Sequence, residues 1–286
     1  MSYILKTEKL SKSFGKTEIL HDIDIAIKYG EVYGLIGQNG AGKTTLLRLV
    51  SGLMKPSKGS VIFQTAKPFI GYMPQSCRFD DTATAASTIR FFAAMRKSNV
   101  KDSIRLGEKL ELDMGKKVKH LSPGQQKKLQ MIIAMAGEPD LYILDEPTAG
   151  LDPNATFEMK NIISSIHSAG KSIIISSHIL QDMDDICTNI AIMDKGQLTY
   201  SNTIENCYVI KTSPIAESVL QELSDKFDFS IDSEATTIIA HISKEKVPQL
   251  INILTLHKIS VFEVTASNVK GIVQEQLHIE KRCKNG

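Results

Sequence analysis

The strongest constraint on this chain is a glycine-rich segment of eight residues. Residues 37–44 read Gly-Gln-Asn-Gly-Ala-Gly-Lys-Thr and match the pattern GxxxxGK[ST], between a predicted strand at 31–36 and a predicted helix at 44–50. Glycines permit backbone conformations that direct successive N–H groups at one anion, and the helix adds the positive end of its dipole. Lys43 supplies a charge for phosphate groups, and the Thr44 hydroxyl suits Mg²⁺. A chance match in a glycine-rich turn is the alternative, but the strand–loop–helix context favours phosphate binding.

A second segment ends an apolar strand with two acids. Residues 141–144 are Leu-Tyr-Ile-Leu, and Asp145 and Glu146 follow directly. Two carboxylates at the end of a buried strand are costly unless they face a metal or a ligand. Asp145 suits a water-mediated Mg²⁺ contact, and Glu146 is placed to polarise an attacking water. The alternative is that both acids cap the turn at Pro147; the phosphate loop makes the catalytic interpretation the stronger one.

Alternating strand and helix patterns predict an α/β fold. Strands are expected at 23–27, 69–73, 141–144, 172–176 and 189–193, and helices at 156–167 and 179–187. This alternation favours a mostly parallel sheet that is covered on both faces. Residues from about 80 to 138 differ, because their pattern is helical without a convincing strand. We interpret them as a helical insertion in a domain that spans residues 1–205.

Residues 206–286 predict a small α+β accessory domain. Strands are expected at 208–212, 227–231, 237–242 and 259–264. One helix is expected to begin with Ser213 as N-cap and Pro214 in its first turn, a second after Ser243, and a closing helix at 268–281. The order β-α-β-β-α-β predicts a ferredoxin-like unit. His241, His257 and His278 are spaced irregularly, so we expect no metal site there.

Composition excludes several classes of function. The 34 basic and 32 acidic side chains leave a net charge of +2, so we expect no broad electrostatic binding of nucleic acid or acidic lipid. The four cysteines form no CxxC pair, which is typical of reduced thiols rather than of a zinc ribbon or a disulfide framework. We expect no signal peptide and no transmembrane segment, because no apolar run approaches about 20 residues. Any membrane spans would belong to another chain.

A third motif makes the resemblance to a known family specific. Residues 121–125 read Leu-Ser-Pro-Gly-Gln and precede the acidic strand. Together with the phosphate loop and the paired acids, they resemble the signature of the ATP-binding cassette (ABC) ATPases over roughly residues 1–200. The resemblance implies a P-loop cassette with an N-terminal antiparallel β part, and it implies ATP and Mg²⁺ as ligands. The phosphate-binding residues it implies are Gly37, Gln38, Asn39, Gly40, Ala41, Gly42, Lys43, Thr44 and Thr45.

The resemblance also assigns roles to residues that are weak signals alone. Phe14 takes the place of the aromatic that stacks on adenine, although by itself it reads better as a core residue. Gln75 takes the place of a Mg²⁺ and water ligand, although an isolated loop glutamine is usually only solvated. His178 takes the place of the histidine that contacts the γ-phosphate, although an isolated histidine after a strand is more often structural. The implied catalytic set is Lys43, Gln75, Glu146 and His178, and the implied metal set is Thr44, Gln75 and Asp145.

The signature segment implies a second copy. In the family, the residues at Ser122, Gly124 and Gln125 contact ATP that is bound by a partner cassette, and the segment 149–153 lies between the two cassettes. This chain has Pro123 where glycine is common. Proline removes one backbone donor, but at a first helical position that N–H is not needed by the helix. We therefore expect the contact to survive and two cassettes to pack head-to-tail around ATP, as a homodimer or a heterodimer.

The resemblance favours an ATPase that drives transport through separate membrane-spanning subunits, at the inner face of the cell membrane. The nearest likeness is to exporters of the bacitracin-resistance and lantibiotic-immunity type, which favours export. A repair, translation or assembly ATPase is the alternative, but no coiled-coil arm fits between Gly42 and Ser122 and no second phosphate loop occurs. A purely regulatory ATP-binding module is disfavoured by the presence of Glu146 and His178. Phe91, Phe92 and Met95 are expected in a groove for the membrane partner, or else in the core of the insertion.

Overall fold

The structure, a computed structural model, describes residues 2–64, 68–179, 183, 186–203, 207–232 and 234–266. The chain divides into two compact units: unit 1 comprises residues 1–182 and 186–201, and unit 2 comprises 183–185 and 202–286. The predicted domain boundary at 205 and 206 stays a prediction. The elements of the first unit are β1 (Tyr3–Phe14), β2 (Thr17–Ile23), β3 (Ala26–Lys28), β4 (Val32–Ile36), α1 (Lys43–Val50), β5 (Lys58–Phe63), β6 (Ile70–Met73), α2 (Ala85–Met95), α3 (Val100–Lys109), α4 (Pro123–Met135), β7 (Leu141–Asp145), α5 (Pro153–Ser168), β8 (Ser172–Ser177), β9 (Asn189–Asp194) and β10 (Gln197–Thr203).

A six-stranded sheet forms the centre of unit 1, in the order β10-β9-β4-β8-β7-β6. The pairs β4–β8, β4–β9, β6–β7 and β7–β8 are parallel. Every residue of β4, β7 and β8 is buried, as their continuous apolar sequences require. The parallel pairs bring the carboxyl ends of β4, β7 and β8 to one edge, where the phosphate loop, the paired acids and His178 follow.

An antiparallel sheet packs beside it, with β1 paired to β2, β3 and β5. The single strand predicted at 23–27 is wrong, because β2 ends at Ile23 and β3 begins at Ala26. The two strands pair with different parts of β1. Between them, the Thr7 hydroxyl donates a hydrogen bond to Ile23 O and accepts one from Ile25 N–H. The alternation of Ile23, Ile25 and Ile27 still reports burial correctly, since all three are in the core.

The insertion between β6 and β7 is helical, as predicted. Helices α2, α3 and α4 enclose a small core of their own, and an isolated bridge joins Thr84 to Lys117. Helix α4 begins at Pro123, and α5 begins at Pro153, three residues before the helix predicted at 156–167, because Ser122 and Asp152 cap them with proline in the first turn. The helix predicted at 179–187 falls largely outside the described residues. The core residues of the insertion are Ala85, Ile89, Leu112, Val118, Leu121, Leu129, Ile132 and Ile133.

The described residues of unit 2 form an antiparallel sheet in the order β12-β13-β11-β14 and two α-helices. Its element order β-α-β-β-α-β is the predicted one, while the ferredoxin-like assignment stays a prediction. The first helix begins at Glu217 rather than at Pro214, because Ser213 bonds the backbone of Ser260 instead of capping a helix. The predicted closing helix lies outside the described residues. The elements are β11 (Cys207–Thr212), α6 (Glu217–Ser224), β12 (Phe229–Ile231), β13 (Thr237–His241), α7 (Val247–Leu256) and β14 (Val261–Ala266).

Candidate functional site

The phosphate loop curls around its own lysine. Gly42 stands at the N-terminus of α1 with φ 104°, a conformation that glycine adopts without strain. The buried ammonium of Lys43 donates to Gly37 O at 2.7 Å and to Gln38 O at 3.2 Å. The loop therefore forms a ring around this ammonium, and a hydrogen bond from Ala41 N–H to Gln38 O at 3.2 Å tightens it.

The loop also lies against the hairpin of β9 and β10. A Cβ atom on Gly37 would come within 2.4 Å of Met193 O, so a side chain is excluded there. Gly196, in the turn of that hairpin, donates its N–H to Ala41 O at 3.0 Å. The neighbouring hairpin thus fixes the loop from outside.

A cleft of about 440 Å³ opens over the loop. Phe14 lines it and is 51% exposed, so the core interpretation of Phe14 is wrong. Gln75, which follows β6, lines it as well, whereas Gly37 and Gln38 contribute their carbonyls to Lys43 from behind. The residues around the cleft are Phe14, Ile19, Asn39, Gly40, Ala41, Gly42, Lys43, Thr44, Thr45, Gln75 and Glu146.

Asp145 is fully buried at the end of β7. Its Oδ1 accepts a hydrogen bond from Ser176 Oγ at 2.7 Å, and that hydroxyl accepts the N–H of Glu146 at 3.0 Å. Its Oδ2 has no hydrogen-bond partner among the residues that the structure describes. A buried carboxylate oxygen without a donor is costly, so this atom is suited to a ligand that the chain itself does not supply.

Glu146 joins the separate motifs. Its backbone adopts φ 48°, in the left-handed region that is uncommon outside glycine. One carboxylate oxygen lies 3.4 Å from Lys43 Nζ and the other 2.9 Å from His178 Nδ1. Because a carboxylate only accepts hydrogen bonds, the histidine is the donor in this pair. The structure thus brings the lysine of the phosphate loop, the second acid and the histidine after β8 into one network.

Two residues of this network have no motif in the sequence. Ser176 orders both acids, and the only signal for it is a polar residue at the end of an apolar strand. Lys127, on α4, donates to Gln75 O at 3.0 Å and to Glu146 O at 3.1 Å. Burial lowers the pKa of this ammonium, while the carboxylates of Asp145 and Glu146 act in the opposite direction.

The signature residues lie apart from this network. Ser122 accepts the N–H of Gln125 at 3.3 Å and is exposed, with Pro123 in the first turn of α4. Gly124 packs closely on α5, since a Cβ atom there would lie 3.2 Å from Ala155 Cβ. Ser122, Gly124 and Gln125 are absent from the lining of the cleft in the described chain. The structure therefore gathers every other predicted site residue but leaves these three facing elsewhere.

Neither a membrane span nor a metal-binding cluster occurs in the part of the chain that the structure describes. None of its helices combines the length and the apolar character that crossing a bilayer demands. No group of three or more His, Cys, Asp or Glu side chains is placed to hold a metal ion within those residues.

Comparison with known proteins agrees with the geometry. A family model described as ABC transporter matches residues 20–149. The ABC transporter ATP-binding protein YdbJ of Bacillus subtilis is 30% identical over 92% of this chain and 91% of its own length. The Nod factor export ATP-binding protein I of Cupriavidus pinatubonensis is 30% identical over 69% of this chain and 65% of its own.

The solved structure of cbiO1 from Clostridium perfringens, described as part of the ABC transporter complex cbiONQ, is 29% identical. It covers 71% of this chain and 89% of its own with a TM-score of 0.62. Together with the phosphate loop and the paired acids, these similarities favour a transport ATPase over a repair or translation factor. The chain belongs to the ATP-binding proteins of ABC transporters and is an ATPase of that family.

Proposed function

We propose that this chain is the energy subunit of an exporter, and that two cassettes pack head-to-tail with ATP between them. The observation that carries the proposal is the separation within one chain of the phosphate cleft from Ser122, Gly124 and Gln125. The first turn of α4 is capped and exposed, and a helix N-terminus favours an anion. A second cassette would supply this turn to the terminal phosphate of the ATP bound in the first.

The cleft assigns the binding roles. The N–H groups at the start of α1 and the ammonium of Lys43 hold the phosphates. Phe14 is exposed at the cleft and offers its ring to the adenine, with Lys12 Nζ 5.2 Å from the ring centroid. Gln75 follows β6 and lines the cleft, and its backbone carbonyl shares the Lys127 ammonium with that of Glu146.

The residues at the cleft fit Mg²⁺ bound together with the nucleotide. The fit rests on Asp145 Oδ2, which is buried without a donor, and on the Thr44 hydroxyl beside the loop. Mg²⁺ is usually held by one or two protein oxygens plus phosphates and waters, so a small donor set is sufficient. Thr44, Gln75 and Asp145 would hold the ion, which when bound neutralises charge on the phosphates.

Glu146 is the general base in this proposal. In the described structure its carboxylate is shared between Lys43 and His178. When phosphate enters the loop, Lys43 gains a competing anion, which leaves one oxygen of Glu146 for a water. His178 retains the other oxygen, and its side chain is 39% exposed, which leaves it accessible to a γ-phosphate. Loss of that phosphate would remove the contact that joins the two cassettes.

The helical insertion provides a surface for the membrane partner. Phe91 and Met95 are 60% and 66% exposed, so the core interpretation is wrong for both, whereas Phe92 packs edge-on against Phe79. Phe91 and Phe92 line a groove of about 380 Å³. An apolar groove of this kind suits a short helix from a membrane-spanning subunit. Such docking would place the chain at the inner face of the membrane. We infer the direction of transport, export, from the similarity to a relative that is named for export.

A mixing experiment with two inactive variants tests the head-to-tail arrangement. Lys43→Ala removes the phosphate-binding ammonium. Ser122→Asp keeps a good N-cap for α4 but places a negative charge where the partner's phosphate should lie. Each full-length variant alone should hydrolyse ATP far more slowly than wild type, whereas mixing them should restore activity. One site of the mixed dimer combines the intact loop of one chain with the intact signature of the other.

The matched control mixes Lys43→Ala with Glu146→Gln. Both changes lie on the cleft side, so neither site of the mixed dimer is intact and activity should stay low. A mixture of Lys43→Ala and Ser122→Asp that is no more active than this control would contradict the head-to-tail site.

A further inference from the structure

We propose that Lys127 is a positioning residue that connects the signature helix to the water-activating carboxylate. The inference rests on the proposed role of Glu146 as general base and adds a link between that base and the partner-facing end of α4. Lys127 is absent from the described lining of the cleft over the phosphate loop, so we place it as a positioning residue rather than as a ligand of ATP.

The geometry of Lys127 is specific. Its ammonium donates to the backbone carbonyl of Gln75 at 3.0 Å and of Glu146 at 3.1 Å. Gln75 follows β6 and Glu146 follows β7, two neighbouring parallel strands of the central sheet. One side chain of the helical insertion therefore holds the two segments that follow these strands at the catalytic edge.

The backbone conformation of Glu146 explains why the hydrogen bonds donated by Lys127 are useful. The Glu146 backbone is in the left-handed region, a conformation that is strained for a residue with a side chain and persists only where surrounding contacts enforce it. Ser176 holds its N–H and Lys127 holds its C=O. The two bonds fix the peptide on both sides of the Cα atom, and thereby the direction of the carboxylate.

Burial of the ammonium supports a functional role. Lys127 is 9% exposed, and burial lowers its pKa although Asp145 and Glu146 lie near. Lysine is seldom buried when packing alone is required, because desolvation of the charge is expensive. An apolar residue would fill this helix position without that cost, but it would remove the ammonium that the two carbonyls share and leave Glu146 O with only the longer bond from Ala149 N–H at 3.3 Å.

The same helix carries the signature residues. Ser122 caps α4, and Lys127 follows five positions later, about 7.5 Å along the axis. A helix this short moves as one rigid body. Any displacement of its N-terminus when a partner's ATP engages Ser122 is therefore transmitted to the carbonyls of Gln75 and Glu146. In this way the second cassette influences the base of the first.

The adjacent lysine offers a matched control. Lys128 also makes two contacts, to Glu158 at 2.8 Å and to Leu110 O at 3.0 Å, but neither involves the catalytic edge. Lys127→Met and Lys128→Met remove the same ammonium from the same helix. A purely structural role would make the two variants alike.

The experiment measures kcat, KM, ATP affinity and thermal stability of the full-length variants. Lys127→Met should lower kcat about 10- to 100-fold, the range expected for a misplaced catalytic group, with ATP affinity within about twofold of wild type. Lys127→Arg keeps donors for both carbonyls and should recover much of the rate. Lys128→Met should stay within about threefold of the wild-type kcat.

Glu146→Gln, measured in parallel, separates the two ideas. If that variant turns over normally, the base is misassigned and the proposed function fails first. If it is inactive while Lys127→Met turns over normally, the inference about Lys127 is overturned. Equal losses in Lys127→Met and Lys128→Met would overturn it too. Should Lys127→Met fail to fold, Lys127→Gln, whose shorter side chain cannot span both carbonyls, serves the same comparison.

Discussion

The two units of this chain handle charge in opposite ways. Unit 1 buries Lys43, Lys127, Asp145 and Glu146 at one edge of its sheet. In unit 2 the described ion pairs lie at the surface, as Lys211 with Glu263 and Lys226 with Glu222 do, and no charged side chain is buried among the residues of this unit whose burial the structure describes. Buried charge is expensive and is retained where chemistry needs it. The contrast supports the catalytic role proposed for the first unit.

Burial alone does not mark the site within unit 1. Glu31 is 4% exposed, yet it lies just before β4, at the end of the strand that is opposite to the phosphate loop. Its carboxylate accepts the N–H of Lys28 and closes a turn. The distinguishing feature of Glu146 is its pairing with a lysine and a histidine from two other segments.

The largest effect is expected at Glu146. Replacement by glutamine keeps the size of the side chain but removes the proton acceptor, so hydrolysis should fall about 10²- to 10⁴-fold. ATP binding should remain, because the phosphate loop is intact. Steady-state hydrolysis and equilibrium nucleotide binding of the full chain measure the two quantities. Near-normal turnover would contradict the proposal that the buried charges of unit 1 serve catalysis.

A smaller effect, on stability alone, is expected in unit 2. Leu223 is fully buried on α6, and truncation to alanine should lower the free energy of unfolding by about 2–5 kcal/mol. ATP hydrolysis per folded molecule should not change, because no charged side chain is buried among the described residues of this unit. Urea unfolding and steady-state hydrolysis at 25 °C provide the measurements. A loss of turnover comparable to that of Glu146→Gln would show that unit 2 takes part in catalysis.

The smallest effect is expected for Glu31→Gln, and it depends on pH. Burial raises the pKa of Glu31, against the opposing effects of the Lys28 N–H and the Lys28 charge. The folded state therefore binds the Glu31 proton more tightly than the unfolded chain does. The contribution of this proton to the free energy of unfolding is complete below the pKa of Glu31 in the unfolded chain, and it is lost as the pH rises through the pKa of Glu31 in the folded state.

Glutamine cannot ionise, so the variant should lose less stability than wild type between pH 4 and pH 7. Urea unfolding at both pH values measures the difference, and kcat should match wild type. An unchanged pH dependence would show that Glu31 is not held in its neutral form. A fall in kcat would extend the catalytic network to the far end of β4.

The sequence predicted the parts of the site that have local patterns. The phosphate loop between a strand and a helix, the acids after an apolar strand, and Ser122 as the cap of α4 each depend on neighbouring residues. Phe14 at the cleft came from the family resemblance alone, since a phenylalanine in a strand carries no sign of exposure.

Features set by distant partners were not predictable. Lys127 and Lys128 are adjacent and identical in type, and only the packing of α4 decides which one reaches the carbonyls after β6 and β7. The local sequence at Ser213 is typical of a helix N-cap, but in the structure Ser213 forms hydrogen bonds with the backbone of Ser260, which is distant along the chain. The break in the strand after Ile23 likewise depends on distant residues, because β2 and β3 pair with different segments of β1.

The hairpin of β9 and β10 behind the phosphate loop has a thermodynamic consequence. Because Met193 leaves no room for a side chain at Gly37 and Gly196 holds Ala41, the loop loses its conformational freedom when the chain folds, before any nucleotide arrives. The entropy of ordering eight residues is then absent from the binding equilibrium. Loosening the turn at residues 195 and 196 should therefore weaken nucleotide affinity although neither residue lines the cleft.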